Sequence, residues 1–270
     1  MQSALLLFLA AFPRASVQAV NPAGAHTPVR VESRAPKLRV LVPAYFYPVA
    51  GSPWSRMNAA AVAHPDRIVA IGNPFNGPGT TLDTTYLATF QSFRASGGKL
   101  IGYVYTSYGA RPIADVKADV DTWRAWYPID GVFVDEMDNV PGAHESYYRA
   151  LYDYVRTQLA DALIIGNPGT STVPSYLSHQ GAPVASALCI YESSGAALTW
   201  SADPWVLARD RRHFAALPYA TPAASWQAAV DHAWQQNCGF VYATDDALPN
   251  PWDTLPPYFE AMAGYVDATY

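Results

Sequence analysis

The stretch VFVDEMDN, Val132–Asn139, runs three β-favouring apolar residues directly into two adjacent acids, with a third acid two positions later. A near-continuous apolar run is how a strand of a parallel sheet reads when both its faces are covered. Such a strand has no packing use for Asp135 and Glu136 at its end. Acids in that place fit the carboxyl-end face of a barrel, where the loops that follow the strands build sites.

The same figure recurs along the chain. Apolar runs begin at Arg39 (RVLVPAYFYP), Arg67 (RIVAIGNP), Lys99 (KLIGYVYTSYG) and Asp130 (DGVFVDEM). Four more begin at Ala162 (ALIIGNPG), Ser186 (SALCIYESS), Phe214 (FAALPYATP) and Cys238 (CGFVYATDD). Segments with helical spacing lie between them, among them TTYLATFQSFRASGG, ADVKADVDTWRAWYP, SYYRALYDYVRTQLA and SWQAAVDHAWQQN, and LPPYFEAMAGYV reads as a closing helix. Eight strand–helix units predict an α/β fold, a single-domain (β/α)8 TIM barrel over residues 37–270. An open doubly wound sheet would want a Gly-rich phosphate loop after its first strand, and YFYP cannot serve as one.

Polar and aromatic residues gather at the carboxyl end of every run, whereas the opposite ends carry connectors such as SGGK and PIDG. That polarity marks one face of the barrel as functional.

Composition narrows the ligand. The 270-residue chain is half apolar and carries a net charge of −5, with no Lys/Arg cluster able to neutralise a run of phosphates, so nucleic acid is not an expected partner. Eighteen tyrosines and eight tryptophans supply rings with a polar edge, which suit flat, partly wet ligands such as sugars. Cys189 and Cys238 sit in apolar strand contexts and read as two buried thiols rather than a bridge. Six scattered histidines, with no CxxC or HExxH, give no metal-ligand spacing, and neither a metal nor another cofactor is expected.

Residues 1–19 read as a signal peptide, with the apolar run Ala4–Phe12 too short to span a bilayer and small residues for cleavage near Ala19. No basic residue precedes that run, and a misassigned start codon is the rival reading. Residues 20–36 read as a polar linker. The expectation is a secreted or cell-surface protein, a monomer, with no membrane span in the mature chain.

Three acids stand out as candidates for catalysis: Asp135 and Glu136 after the fourth strand, and Glu192 in CIYESS after the sixth. Strands four and six place their ends across the mouth from each other, and two facing carboxylates can flank a scissile glycosidic bond. The plainer reading of each acid is a helix cap or an ion pair. Candidate sugar-binding residues are Tyr45, Tyr103, Tyr105, Tyr191 and Tyr242, Asn73 and Asn167 of the two GNP motifs, and Asp245 at the end of the eighth strand. Serine or cysteine nucleophiles have no supporting motif.

Taken in order, LVPAYFYP, GNPFNGPG, GYVYTSYGAR, WRAWYPIDGVFVDE, CIYESS and YATDDALPNPWDTLPPYFEAM resemble the spherulin-4-like family from about Val40 to the C-terminus. The resemblance implies a (β/α)8 glycoside hydrolase of family 135, endo-acting and retaining, on α-1,4-linked N-acetylgalactosamine in exopolysaccharides of the galactosaminogalactan type. It also implies that Asp135, Glu136 and Glu192 are the functional acids, since they occupy the family's DE and YE motifs. Phe75, Asn76 and Ala243 depart from the family pattern, which bears on sugar specificity and leaves the catalytic motifs intact. Asp135 then reads as nucleophile, Glu192 as acid and base, and Glu136 as an orienting or sugar-holding group, although exchanging Asp135 and Glu136 fits the sequence almost as well. Two alternatives remain: a non-catalytic carbohydrate-binding barrel of a cell surface or matrix, and a hydrolase of another α-linked hexosamine or galactose polymer.

Overall fold

Eight apolar runs close into one parallel barrel. In the computed structural model, which describes residues 37–196 and 198–270, the strands are β1 (Arg39–Ala44), β2 (Ile68–Gly72), β3 (Lys99–Tyr105) and β4 (Gly131–Asp135). They continue as β5 (Leu163–Gly166), β6 (Ala187–Tyr191), β7 (Phe214–Ala216) and β8 (Phe240–Val241). Each pairs with its sequence neighbours, and β8 pairs with β1 through Arg39↔Phe240 to complete the ring. The single-domain TIM barrel expected over 37–270 is the fold. The expected signal peptide and linker lie outside the described residues.

Strand burial explains why the runs were apolar throughout: all five residues of β2 and the first four of β4 are buried. One side of each strand fills the barrel interior and the other faces the outer layer, which is helical over most of the barrel. Helices α1 (Trp54–Ala63), α2 (Thr84–Ala95), α3 (Ile113–Trp126) and α4 (Glu145–Gln158) cover the first four strands. Strand glycines make room for aromatic rings on that side. A Cβ at Gly102 would lie 2.5 Å from the Trp123 ring, and one at Gly72 would lie 2.9 Å from Phe90. Trp123 is thereby seated on β3, and its indole N–H donates to the Tyr103 carbonyl at 2.8 Å.

The regular alternation fails in two places. Between β5 and β6 the chain forms a 3₁₀ turn at Pro174–Tyr176 and a two-stranded hairpin, Ser178–His179 with Ala182–Pro183, instead of a helix. Pro168, Gly169, Pro174, Gly181 and Pro183 account for this, since proline removes helix donors and glycine weakens helices. Between β6 and β7 the described residues form the single α-helical turn α5 (Pro204–Leu207) and a 3₁₀ turn at Arg211–His213. Helices α6 (Trp226–Gln235) and α7 (Phe259–Thr269) restore the pattern. Cys189 and Cys238 are both buried and free. No helix among the described residues is long and apolar enough to cross a membrane.

Candidate active site

Register brings the acids together. β3 and β4 pair Tyr103 with Phe133 and Tyr105 with Asp135, and alternation puts all four side chains on one face, the barrel interior. At the mouth the Tyr103 hydroxyl donates to Asp135 Oδ2 at 2.7 Å. Asn167, just beyond β5, is buried, and its backbone is held on both sides: its N–H donates to the Val134 carbonyl and its carbonyl accepts from Met137 N–H. Its side-chain amide donates to Asp135 Oδ1 at 2.7 Å and to Glu192 Oε2 at 2.6 Å. Those two carboxylate oxygens therefore lie no more than about 5.3 Å apart, the two bonds laid end to end.

Glu192 follows β6, its backbone N–H donating to the Gly169 carbonyl at 2.9 Å. Gly169 has φ +67°, and a Cβ there would meet the Glu192 side chain at 3.6 Å, so the GNPG motif supplies both the bridging amide and the turn beside the acid. Burial pushes the Glu192 carboxyl above the ordinary range. The Asp135 charge adds to that rise, while hydrogen bonds from Asn167 and the Trp252 side chain oppose it. A carboxyl so placed holds its proton to higher pH than a free glutamate. Tyr103 and Tyr45 are driven the same way, first by burial and then by Asp135, so both stay neutral hydroxyls at ordinary pH.

Glu136 leaves the strand with φ +50°, a left-handed backbone that is uncommon for a residue other than glycine or asparagine. That turn is fastened from the β3 loop: Tyr108 N–H and Thr106 Oγ1 each donate to the Glu136 carbonyl at 2.8 Å. Thr106 Oγ1 also meets the Tyr148 hydroxyl of α4, which accepts from Asp138 N–H at 2.8 Å. Among the described residues the half-buried Glu136 carboxylate makes no hydrogen bond or ion pair within the protein. Asp138 has a structural role, because its carboxylate accepts from His144 and from Val140 N–H.

The other predicted residues divide. Tyr45 packs edge-on against Tyr103, ring centroids 5.7 Å apart, and joins the carboxylate cluster. Tyr105 ends β3 beneath the Arg111 guanidinium, 4.2 Å from its ring centre. Asn73 closes its own loop by accepting from Gly77 N–H at 2.8 Å. Tyr191 stacks on Trp200 with centroids 4.5 Å apart, and its hydroxyl donates to the Ser194 carbonyl at 2.7 Å. Tyr242 is fully buried against Trp252 and offers a ligand no surface. Asp245 is exposed, while its neighbour Asp246 is raised in pKa by burial and then by Asp245 and Asp253. Trp252 was left unassigned by sequence reasoning, yet it bears on Glu192, and its carbonyl accepts from Tyr45 N–H at 3.2 Å. Only its place in the NPWD segment after the eighth strand hinted at that.

Among the described residues no group of three or more His, Cys, Asp or Glu side chains could hold a metal ion. A depression of about 530 Å³ lies at the opposite end of the barrel by Arg94, Lys99 and Asp130. There Arg94 and Asp130 pair at 2.6 Å, and Asp130 also accepts from Leu100 N–H, so its charges are used in connecting strands.

Fold and site together define a (β/α)8 barrel with an amide-bridged carboxylate pair in its carboxyl-end mouth. The chain belongs to the spherulation-specific family 4, Spherulin4, whose family model matches residues 39–266. It is 31% identical over 243 residues to Spherulin-4 of Physarum polycephalum, covering 86% of this chain and 70% of that one. The crystal structure of Aspergillus clavatus Sph3 in complex with GalNAc superimposes with a TM-score of 0.74 at 22% identity, over 86% of this chain and 98% of Sph3. That likeness is one of fold.

Proposed function

We propose that the chain is a secreted, endo-acting glycoside hydrolase that cleaves α-1,4-linked N-acetylgalactosamine or galactosamine polymers with retention. The observation that carries this reading is the single Asn167 amide joining Asp135 to Glu192. Retaining glycosidases hold their carboxyl groups about 5–5.5 Å apart and inverting ones about 6.5–9.5 Å, and a bridge that keeps the nearest oxygens within about 5.3 Å supports the shorter class of spacing. The choice of sugar rests on the family resemblance and on the GalNAc that Sph3 binds. Export rests on the apolar run Ala4–Phe12.

Asp135 acts as nucleophile. It attacks the anomeric carbon as the glycosidic C–O bond breaks and the departing oxygen takes the Glu192 proton. Glu192, now a carboxylate, then removes a proton from water, whose oxygen displaces Asp135 from the anomeric carbon. Burial favours the protonated form of Glu192 needed for the first step, and the Tyr103 and Asn167 donors hydrogen-bond Asp135 and stabilise it as leaving group in the second. Two contacts favour Asp135 over Glu136 in this role: the bridge to Glu192 and the Tyr103 hydroxyl both reach Asp135. Glu136 is left to hold a sugar hydroxyl or amine.

The test is reducing-end release from an α-1,4-linked N-acetylgalactosamine oligomer and from galactosaminogalactan, with the product anomer followed by NMR. Wild type should release ends with retained configuration. Asp135→Asn and Glu192→Gln should each lose roughly 10²–10⁴-fold in rate. A folded wild type that binds the polymer without releasing ends would reject the enzyme in favour of a carbohydrate-binding barrel.

A further inference from the structure

Three aromatic side chains among the described residues are exposed to solvent, and all three lie on one arc of the barrel mouth. They are Tyr47 (51% exposed), Phe75 (79%) and Tyr108 (61%). Each sits on the loop that follows one of three consecutive strands: Tyr47 after β1, Phe75 after β2 and Tyr108 after β3. The remaining aromatic residues among those described are buried or half-buried, so exposed rings there are confined to this place.

The rings are exposed yet pinned. The Tyr47 hydroxyl donates to Asp83 Oδ2 at 3.1 Å, and its ring packs edge-on against Tyr86 at 5.3 Å. Phe75 rides a loop tied by Gly77 N–H to Asn73 Oδ1 and by Phe75 N–H to the Gly77 carbonyl at 3.2 Å, and Asn76 there turns through φ +47°. Tyr108 follows Ser107, and both take left-handed backbones, φ +55° and +47°. That conformation is costly for an aromatic residue and persists where surrounding contacts over-determine it. Here the contacts are the bond from Tyr108 N–H to Glu136 and the bonds from Gly109 and Arg111 N–H to the Thr106 carbonyl. Holding apolar rings rigid in water yields nothing for the free protein, whereas a ligand that stacks on them avoids the cost of ordering them.

We infer that Tyr47, Phe75 and Tyr108 form a stacking rail that carries the polysaccharide chain across the β1–β3 rim into the carboxylates, giving the enzyme distal subsites and a preference for long substrate. This rests on the reading of the mouth as a glycosidase site. Continuity places the occupant. Tyr108 is hydrogen-bonded to the turn that bears Glu136, and Tyr47 lies two residues from Tyr45, which packs on Tyr103. Paired strands are roughly 4.8 Å apart, so three strand ends span roughly 10 Å of rim, longer than one sugar ring. Pyranose rings present C–H faces that suit aromatic faces, and the polar edge of Tyr108 can meet a sugar hydroxyl.

The experiment compares wild type with the triple variant Tyr47→Ala, Phe75→Ala, Tyr108→Ala. Kinetics are read on a short α-1,4-linked N-acetylgalactosamine oligomer and on long galactosaminogalactan, with retardation in gels containing the polymer as a turnover-free readout. Tyr108→Trp, which keeps a stacking face, should behave as wild type. The expected result is a KM on the polymer raised at least about tenfold with kcat within twofold, unchanged kinetics on the short oligomer, and lost retardation. A wild type that cleaves the polymer and a triple variant that matches it on both substrates would overturn the rail and leave the glycosidase intact. Retardation of wild type alone, with no cleavage by either, would keep the rail and reject the catalytic reading. Neither cleavage nor retardation by wild type would overturn both. A wild-type dimer that the triple substitution dissociates would overturn the rail in favour of a self-association face.

Discussion

Asn167 is the residue on which the chemistry turns, because one amide contacts both carboxylates and so couples their spacing to their protonation. The proposed acid must carry its proton, and raising the pH through the Glu192 pKa removes it, so the alkaline limb of kcat/KM should report Glu192. Burial, helped by Asp135, moves that limb above the usual glutamate range. The hydrogen bond from Asn167 favours the charged form and works against the rise. Asn167→Ala should therefore move the alkaline limb further up in pH and lower kcat by roughly 10–100-fold, as the two acids lose their common anchor. A pH–rate profile with unchanged limb would show that the amide does not touch the titration of Glu192, and the bridge would lose its catalytic meaning. None of this coupling was legible in the sequence. GNPG announced a turn and a polar side chain, but the bridge depends on the registers of β4, β5 and β6 against one another. The backbone turn at Glu136 was hidden for a related reason, since a glutamate gives no local sign that it will take a left-handed conformation.

Elements were easier to read than contacts. Strands buried on both faces leave uninterrupted apolar runs, and all eight runs became barrel strands beginning within two residues of their expected starts. Helices α2, α3, α4 and α6 announced themselves by spacing. The stretches after β5 and β6 did not become full helices: proline and glycine punctuate the first, and among its described residues the second forms one α-helical turn and one 3₁₀ turn. Strand glycines were read as connectors or passed over, yet they decide how closely helices pack. Gly102 shows this most sharply: an alanine methyl would sit within 2.5 Å of the indole that seals α3 onto β3. Trp123 is wholly buried and cannot step aside without giving up its bond to the Tyr103 carbonyl. Gly102→Ala should destabilise the fold by about 1–3 kcal/mol, the usual cost of overpacking a full core, measured by urea denaturation. Because Tyr103 carries the hydroxyl that reaches Asp135, the same variant should also lower activity at temperatures where it remains folded. Full stability in Gly102→Ala would mean that α3 can slide outward and that the close seat of Trp123 does not matter.

At the scale of the whole molecule, the barrel must also be held shut where the last helix meets the first strands. Arg67, its side chain 4% exposed, makes that join: Nη1 donates to the Leu38 carbonyl at 2.8 Å, just ahead of β1, and Nε donates to Asp267 Oδ1 of α7 at 2.7 Å. Nη2 reaches the Asp267 carbonyl, and His64 at the end of α1 meets the other carboxylate oxygen at 3.1 Å. His64 and Arg67 hold the Asp267 carboxyl below the ordinary aspartate range. A carboxyl lowered in the folded state contributes stability above its unfolded pKa and loses it as the pH falls through the folded value. Asp267→Asn should therefore cost stability at neutral pH, and its difference from wild type should close as the medium is acidified through that window. Asp267 is itself 37% exposed, so solvent screening reduces the ion-pair contribution. The buried guanidinium keeps its two carbonyl partners, which sets the expected loss at about 1–3 kcal/mol. For a chain of this size that corresponds to a fall in Tm of roughly 2–12 °C. Thermal melts of both proteins at neutral and acid pH decide it. A difference that persists unchanged into acid would assign the loss to packing of α7, whereas one that vanishes would assign it to the charge that ties α7 to the first strands of the barrel.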